Sequence, residues 1–184
     1  MSVVKFNEEV YYSGDQIVAV STEDIEELKR LASMTARRRS RLCTHRHVDD
    51  LVHEMLIIHE KDTYIRPKKH MRRGKSYHLI EGEMDIIVFQ DDGAIVHVIE
   101  MGVFRSGKVF YVRVDEPQYH TVLVRSHVAV FHETKCGPFR KEETIFAPWA
   151  PEETDTQAAN LFVNRLHALL DGGQWHRFHG TFTG

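Results

Sequence analysis

The sequence predicts a mainly β fold, a jelly roll or related barrel, with one α-helix before the barrel and another after it. From residue 41 to about residue 133, short segments rich in Val, Ile, Phe and Tyr alternate with turn signals. Many short strands at this spacing are typical of antiparallel sandwiches and barrels. Asp91-Asp92-Gly93 lies between two alternating runs and predicts a tight hairpin.

The predicted strands run through most of the first 133 residues. They are residues 9–12, 16–20, 41–46, 53–60, 63–66, 75–81, 84–90, 94–100, 108–114, 119–124 and 127–133. Residues 134–155, which contain Gly137-Pro138, Pro148 and Pro151, are predicted to form an irregular loop.

Two amphipathic helices flank the strands. Ser21 and Asp24 have the spacing of a capping box and predict a helix over residues 22–34. Apolar residues at helical spacing predict a second helix over residues 157–170, which Gly172-Gly173 would end. The tail, residues 174–184, carries Trp175, Phe178 and Phe182 and is expected to pack on the barrel or on a partner.

We expect a single domain with three parts. Residues 1–40 would pack on a barrel formed by residues 41–153, and residues 154–184 would add the second helix and the tail. The chain is 42% hydrophobic and 28% charged, with a net charge of -3, so its overall charge does not favour nucleic acid. The two cysteines form no disulfide framework. Without an apolar leader or a membrane-length apolar run, we expect a cytoplasmic protein with no membrane insertion.

Residues 64–83 contain the most informative motif. His70 and Gly82 stand where the first cupin motif has its second histidine and its glycine, so this stretch resembles that motif. Pro117-Gln118-Tyr119-His120-Thr121 is similar to the second cupin motif. The resemblance implies a cupin jelly-roll barrel whose pocket is built around His70 and His120. These two histidines are the candidate metal ligands and the candidate catalytic residues.

Within the cupins, the chain resembles the WbuC-type metalloproteins over roughly residues 8–153. The similar segments are residues 38–42, 49–58, 64–67, 76–82, 136–139 and 146–152. Pro148-Trp149-Ala150-Pro151 is the most specific of these signals. Proteins of that type are associated with bacterial surface-polysaccharide gene clusters and have no established reaction. The resemblance therefore implies a homodimer, a role in polysaccharide biosynthesis, and one divalent ion (Zn, Fe, Mn or Ni).

The sequence departs from the cupin motif at two ligand positions. Lys68 stands where the family has its first histidine ligand, and Lys75 stands where it has its glutamate. A protonated lysine has no lone pair for a metal and repels a cation. His70 and His120 are then an incomplete metal set, with His78 or His53 as alternates. In an extended strand, however, His78 faces away from the side that Lys75 occupies.

The same lysines suggest an anion-binding pocket. Arg66, Lys68, Lys69, Arg72, Arg73 and Lys75 form a dense basic cluster at the expected pocket mouth. Lysine and arginine bind phosphate and carboxylate groups. Arg66, Lys68, Lys75 and Tyr77 are accordingly the candidate ligand-binding residues. A solvated loop with both lysines turned to water explains the sequence equally well. Glu133, after a strand, could line the pocket, but a surface position at the strand end is preferred.

Three functions fit these features. The first is an enzyme acting on a small anionic metabolite such as a sugar nucleotide, with isomerase-like or epimerase-like proton transfer by His120 or His70. The second is a non-catalytic module that binds such a metabolite after losing the ordinary metal site. The third is a structural partner in a polysaccharide-synthesis assembly. The fold alone does not choose among them.

Overall fold

A computed structural model describes residues 2–71, 74–115 and 117–173 of the chain. Over these ranges the protein is mainly β, with two sheets and an α-helix near each end, so the predicted fold class is confirmed. The strands are β1 (Val3–Lys5), β2 (Val10–Ser13), β3 (Arg39–Cys43), β4 (Val52–Glu60), β5 (Lys68–His70), β6 (Lys75–Glu81), β7 (Glu83–Phe89), β8 (Ile95–Gly102), β9 (Tyr111–Val114), β10 (Tyr119–Val124), β11 (Val128–Cys136) and β12 (Thr144–Phe146). The helices are α1 (Thr22–Ser33) and α2 (Thr156–Asp171).

The order of the strands is that of a jelly roll. The larger sheet has the order β1-β2-β3-β4-β11-β6-β9, and the smaller sheet has the order β12-β5-β10-β7-β8. From β4 onward the chain crosses repeatedly from one sheet to the other, and the pairs within each sheet are antiparallel. The one parallel pair joins β2 to β3, outside this crossing pattern. Such crossing between two packed antiparallel sheets is the jelly-roll arrangement.

The main core lies between the two sheets. Met84, Ile86 and Val122 project from the smaller sheet, and Leu79 and Phe131 project from the larger one; all five are buried in one cluster. Alternate residues along each strand face this interior, because successive side chains point to opposite faces. The interior is therefore reached by every second residue of β6, β10 and β11.

Helix α1 covers the outer face of the larger sheet. Ser21 and Asp24 form the predicted capping box, since each side chain bonds the backbone N–H of the other residue. Leu28 and Ala32 are buried against Ile58, Val130 and other apolar residues of the sheet. Packing of this apolar stripe is the main stabilisation of so short a helix.

Helix α2 covers the outer face of the smaller sheet. Asp155 caps its first turn by accepting a hydrogen bond from the backbone N–H of Ala158. Val163 and Leu166 pack with Ile87 and Leu123, which point outward from the barrel. The helix thus closes a second, smaller core. Among the described residues, neither helix is both long and apolar enough to cross a membrane.

Several predicted strands differ from the structure at the barrel edges. Residues 16–20 and 63–66 are not strands, the predicted strand 108–114 is regular only from Tyr111, and the predicted loop 134–155 contains β12. Strands β5 and β12 have three residues each and pair with each other across a long sequence separation. A three-residue segment has no readable periodicity, which is why local patterns missed them. The predicted tail, residues 174–184, lies outside the described residues.

Candidate ligand-binding site

A group of polar side chains is gathered inside the barrel at the end where β6 begins. We call this group the interior cluster; its members are Lys68, His70, Lys75, Tyr77, His120 and Glu133. Lys75, Tyr77 and His120 are only 4%, 2% and 3% exposed. Polar groups this deeply buried are unusual in a β-barrel core and usually have partners.

Strand register places the two lysines on the inner face. Along β6, Lys75, Tyr77 and Leu79 are buried while His78 is exposed. On β11, Lys135 lies opposite Lys75, and Glu133 lies opposite Tyr77. Lys75 therefore extends into the barrel, where its Nζ lies 3.9 Å from Glu133 Oε2 and 5.0 Å from the Tyr77 ring centroid.

Lys68 reaches the same region from the smaller sheet. It is partly buried on β5, in register with His120 of β10 on one side and Phe146 of β12 on the other. Within the described ranges, Lys68 has no ion pair with a carboxylate, since the Glu133 contact belongs to Lys75. Of the two arrangements open from sequence, lysines in water or lysines inside, the structure has the second.

The two candidate histidines lie next to each other in this cluster. Their ring centroids are 6.2 Å apart. His70 Nδ1 lies 3.2 Å from Thr144 Oγ1, across the short β5–β12 pair. His120 Nδ1 lies 2.8 Å from the carbonyl oxygen of Gln118. A carbonyl oxygen only accepts, so the neutral His120 ring carries its proton on Nδ1 and its lone pair on Nε2.

The Nε2 atom of His120 is unsatisfied. It is buried and has no hydrogen-bond partner among the described residues. A buried polar atom without a partner costs about 1–3 kcal/mol, so a native protein normally offers it water or a ligand. Nε2 of His120 is therefore a buried hydrogen-bond acceptor that a donor group of water or of a ligand would satisfy.

Burial and neighbouring charge keep both histidines neutral. Burial lowers the pKa of His70 to about 2, and the positive charges of Lys75, Lys135 and Lys68 act in the same direction. The pKa of His120 also falls well below its ordinary value because of burial and the charge of Lys75, against the opposing bond to Gln118. At physiological pH both imidazoles are uncharged.

The lysines are affected in the same way. Burial, reinforced by the charge of Lys75, lowers the pKa of Lys68 to about 7, while Glu133 opposes this change. Burial also lowers the pKa of Lys75, again with Glu133 in opposition. Lys68 consequently divides between its protonated and neutral forms near neutral pH.

These residues do not fit a divalent metal ion. Across residues 2–71, 74–115 and 117–173, no three His, Cys, Asp or Glu side chains lie close enough together to hold one. Lys68 and Lys75 supply positive charge where a cation would need lone pairs. At 4 Å and an effective dielectric near 20, each protonated lysine would cost a divalent ion about 8 kcal/mol, because the energy for two unit charges is doubled. The donor set of His70 and His120 is left incomplete.

Neither alternate histidine completes the set. His78 is exposed on the outer face of β6, the side that strand alternation predicts when Lys75 faces inward, in register with His132 and in edge contact with the Phe110 ring. His53 is on the inner face of β4 and buried, but its ring stacks on His45 with centroids 4.1 Å apart. These two rings form a separate pair beside Cys43 and Tyr12.

Part of the predicted basic cluster lies elsewhere. The Arg66 guanidinium pairs with Glu152, donates to the Ala147 carbonyl at 3.3 Å and lies 5.0 Å from the Phe146 ring centroid, so it holds residues 146–152 in place. Lys69 points to the opposite face from Lys68, with Nζ 2.7 Å from Asp91 Oδ1. Arg72 and Arg73 lie outside the described residues. Of the four members of that cluster that the structure describes, Lys68 and Lys75 enter the barrel.

Two members of this region were missed from sequence. Glu133 is not a surface carboxylate but the partner of Lys75, and Lys135 follows it on the same face of β11. The alternation Phe131, Glu133, Lys135 continues a strand that the sequence ended at residue 133. Extending that alternation by one pair of residues was the available signal.

The crossing of strands between two antiparallel sheets defines this chain as a jelly-roll protein, and its polar cluster lies inside the barrel. The matching family model is described as a domain of unknown function (DUF6016) and covers residues 20–101. No curated protein matches the chain. The jelly-roll fold predicted from the sequence is confirmed by the strand order, whereas the resemblance to WbuC-type cupin proteins stays a prediction.

Solved structures with a similar course of the chain have low sequence identity. Protein SO0799 from Shewanella oneidensis has a TM-score of 0.49 and 9% identity, covering 75% of this chain and 87% of that one. An uncharacterized conserved protein with a double-stranded beta-helix domain from Klebsiella pneumoniae has a TM-score of 0.49 and 12% identity, covering 72% of this chain and 97% of that one. An oxalate oxidase in complex with the substrate analogue glycolate has a TM-score of 0.47 and 11% identity, covering 77% of each chain. The fold is defined by the strand order rather than by these similarities.

Proposed function

We propose that the interior cluster binds a small anionic molecule, a carboxylate or a phosphate, between Lys68 and Lys75. The observation that carries this proposal is the pair of inward-facing lysines. Within the described ranges, Glu133 is the one carboxylate at ion-pair distance from either of them, 3.9 Å from Lys75. Buried charge without a partner is strongly unfavourable. An anion between the lysines would supply the missing partner.

The electrostatics of the cluster support an anion over a neutral ligand. With both histidines uncharged, the lysines are the local charges that Glu133 only partly offsets. A bound anion favours the protonated form of each lysine and raises its pKa. Binding near neutral pH should therefore be accompanied by proton uptake at Lys68.

The unsatisfied Nε2 of His120 narrows the class of ligand further. As an acceptor it requires a donor, which a bare carboxylate or a phosphomonoester dianion lacks. A molecule with a hydroxyl group beside its anionic group would satisfy both His120 and the lysines. Hydroxy acids and sugar phosphates have this combination, as does the sugar part of a sugar nucleotide.

The same histidine bears on the choice between binding and catalysis. With its pKa held well below the ordinary value, His120 is a weak base in the empty site. A bound anion would offset the lysine charges and strengthen it, so proton transfer of the isomerase or epimerase kind requires the anion first. Binding is accordingly the primary function that we propose, and catalysis is conditional on it.

Ligand-dependent thermal stabilisation tests the proposal. The melting temperature of the full chain is measured with inorganic phosphate, glycolate, a sugar phosphate, a sugar nucleotide and neutral sugars. We expect the anions, and not the neutral sugars, to raise it by several degrees at concentrations well above Kd. Lys68→Met and Lys75→Met should each remove most of this rise.

The control is Lys69→Met, since Lys69 is adjacent on the same strand but faces outward to Asp91. It should respond to anions like the unmodified chain. Equal stabilisation by neutral sugars, or an anion response that survives both interior substitutions, would contradict the proposal.

A further inference from the structure

We infer that the ligand of the interior cluster is a polyhydroxylated acid, such as a sugar acid, whose hydroxyl groups reach His59 on β4 as well as His120 on β10. This inference rests on the proposed anion site, because Lys68 and Lys75 would hold the acid group of the same molecule. It adds His59 to the site as a residue that distinguishes ligands by their hydroxyl groups.

His59 lies on the interior face of β4. It alternates with Met55 and Ile57, which belong to the main core between the sheets, whereas Ile58 packs under α1 on the opposite face. The His59 side chain is only 7% exposed. Its imidazole is therefore part of the barrel interior and not of the protein surface.

Phe131 connects His59 to the interior cluster. The Phe131 ring meets the His59 ring edge to face, with centroids 5.2 Å apart, and its centroid lies 6.0 Å from that of the Tyr77 ring. Lys68, which is in register with His120 on β10, is also near His59. The imidazoles of His59 and His120 consequently have one lysine as a common neighbour.

The Nδ1 atom of His59 has no hydrogen-bond partner among the described residues and is buried, as is the Nε2 atom of His120. Arg39 is in register with His59 on β3, but its guanidinium donates to Glu9 at 3.0 Å and to Glu153 at 3.2 Å instead. Buried polar side-chain atoms in proteins nearly always have a partner. Two unpartnered imidazole nitrogens in one interior therefore indicate groups that come from outside the chain.

A hydroxyl group is the partner that suits both nitrogens. Nε2 of His120 is an acceptor, whereas Nδ1 of His59 accepts or donates according to its tautomer, and a hydroxyl group can do either. One hydroxyl group does not serve both, because the two histidines project from facing sheets, which pack about 10 Å apart. A ligand that satisfies both needs separate hydroxyl groups along a chain, with its acid group at the lysines.

Binding of a graded set of acids tests the inference. Isothermal titration calorimetry gives the dissociation constants of the full chain for glycolate, which has one hydroxyl group, and for gluconate, which has five. Hexanoate has the carbon chain of gluconate without its hydroxyl groups. We expect gluconate to bind about tenfold more tightly than either of the others, as one or two additional hydrogen bonds would provide.

Substitution of His59 tests its part in this preference. His59→Leu removes the imidazole without adding a polar group, so it should bind glycolate like the unmodified chain and lose most of the preference for gluconate. His59→Gln has an amide that donates and accepts, and it should keep part of the preference. The matched control, His78→Leu, removes an exposed imidazole from the outer face of β6 and should change neither affinity.

The outcomes separate this inference from the proposed anion site. Equal affinity of the unmodified chain for glycolate, gluconate and hexanoate would overturn the inference and leave the anion site in place, and this comparison does not depend on the folding of any variant. A gluconate preference that His59→Leu leaves intact would overturn it too. Failure of the unmodified chain to bind any of the acids or inorganic phosphate would overturn the anion site itself.

Discussion

Lys68 shows at the scale of one residue how a charge placed in a core changes the stability of the protein. Its folded pKa of about 7 lies below the ordinary value of 10.5. Between these values the unfolded chain binds more protons than the folded one, so the free energy of unfolding rises with pH. The cost of the buried charge is fully present below about pH 7 and disappears as the pH rises toward 10.5.

Lys68→Met should therefore change the pH dependence of stability. We expect the variant to be more stable than the unmodified chain at pH 6 and to lose a slope of up to about 1.4 kcal/mol per pH unit between pH 7.5 and 9.5. Urea unfolding followed by circular dichroism measures the free energy of unfolding at pH 6 and its slope with pH. Lys69→Met, the outward neighbour, should keep the slope; a Lys68→Met chain with an unchanged slope would show that Lys68 is not the titrating group.

The two interior lysines were open to inference from sequence because they replace ligands in a motif of fixed spacing. Glu133 could be placed on the inner face only by extending the alternation of Phe131, Glu133 and Lys135 beyond residue 133, where the predicted strand ended. Its neighbours on β6 could not be predicted, because the β11–β6 pairing shifts register between Val130 and Phe131 and no local pattern signals such a shift.

At the scale of secondary-structure elements, the length of a helix or strand determines how well the sequence predicts it. Helices α1 and α2 and strands β6, β7 and β8 were predicted within one to two residues at most ends, since each has a readable period. Strands β5 and β12, with three residues each, exist only through their pairing with one another and with β10. Strand β5 nevertheless carries Lys68 and His70, and β12 carries Thr144 beside His70, so these short strands position two of the six members of the interior cluster.

Helix α2 offers a prediction at this scale. Leu166 is 5% exposed in the core that the helix forms with the smaller sheet, whereas Leu161 on the same helix is 63% exposed. Leu166→Ala should lower the free energy of unfolding by about 2–4 kcal/mol through lost burial and a residual cavity. Leu161→Ala should cost less than about 0.5 kcal/mol. Equal losses in urea unfolding would mean that α2 does not pack on the sheet.

At the scale of the whole molecule, both sheets contribute buried imidazoles to the barrel. His59 on β4, His70 on β5 and His120 on β10 all have lowered pKa values, chiefly because of burial. His59 is also near Arg39, Lys68 and Arg41, and its Nδ1 has no hydrogen-bond partner among the described residues. A cluster of neutral imidazoles and cations can exist only while the barrel excludes water.

This cluster predicts a loss of stability that begins near pH 6.5. Because the folded pKa of each histidine is below the unfolded value of about 6.5, the unfolded chain binds up to three more protons in mild acid. The contribution of these histidines to stability is complete above pH 6.5 and falls as the pH decreases, by up to about 4 kcal/mol per unit if all three rings contribute. Glu9 and Glu153, whose pKa values are lowered, add to the loss only at more acid pH, near and below 4.5.

Urea unfolding at pH 7, 6 and 5 measures how the free energy of unfolding changes with pH. Substitution of single histidines then tests which imidazoles cause that change. His59→Gln and His120→Gln should each reduce the slope by about one proton, while His78→Gln, which removes an exposed imidazole from the outer face of β6, should leave it as it is. Adding phosphate should also shift the loss of stability to lower pH, since an anion bound only by the folded barrel stabilises it. A slope that none of the interior substitutions changes would place the acid sensitivity in the surface carboxylates instead of in the barrel.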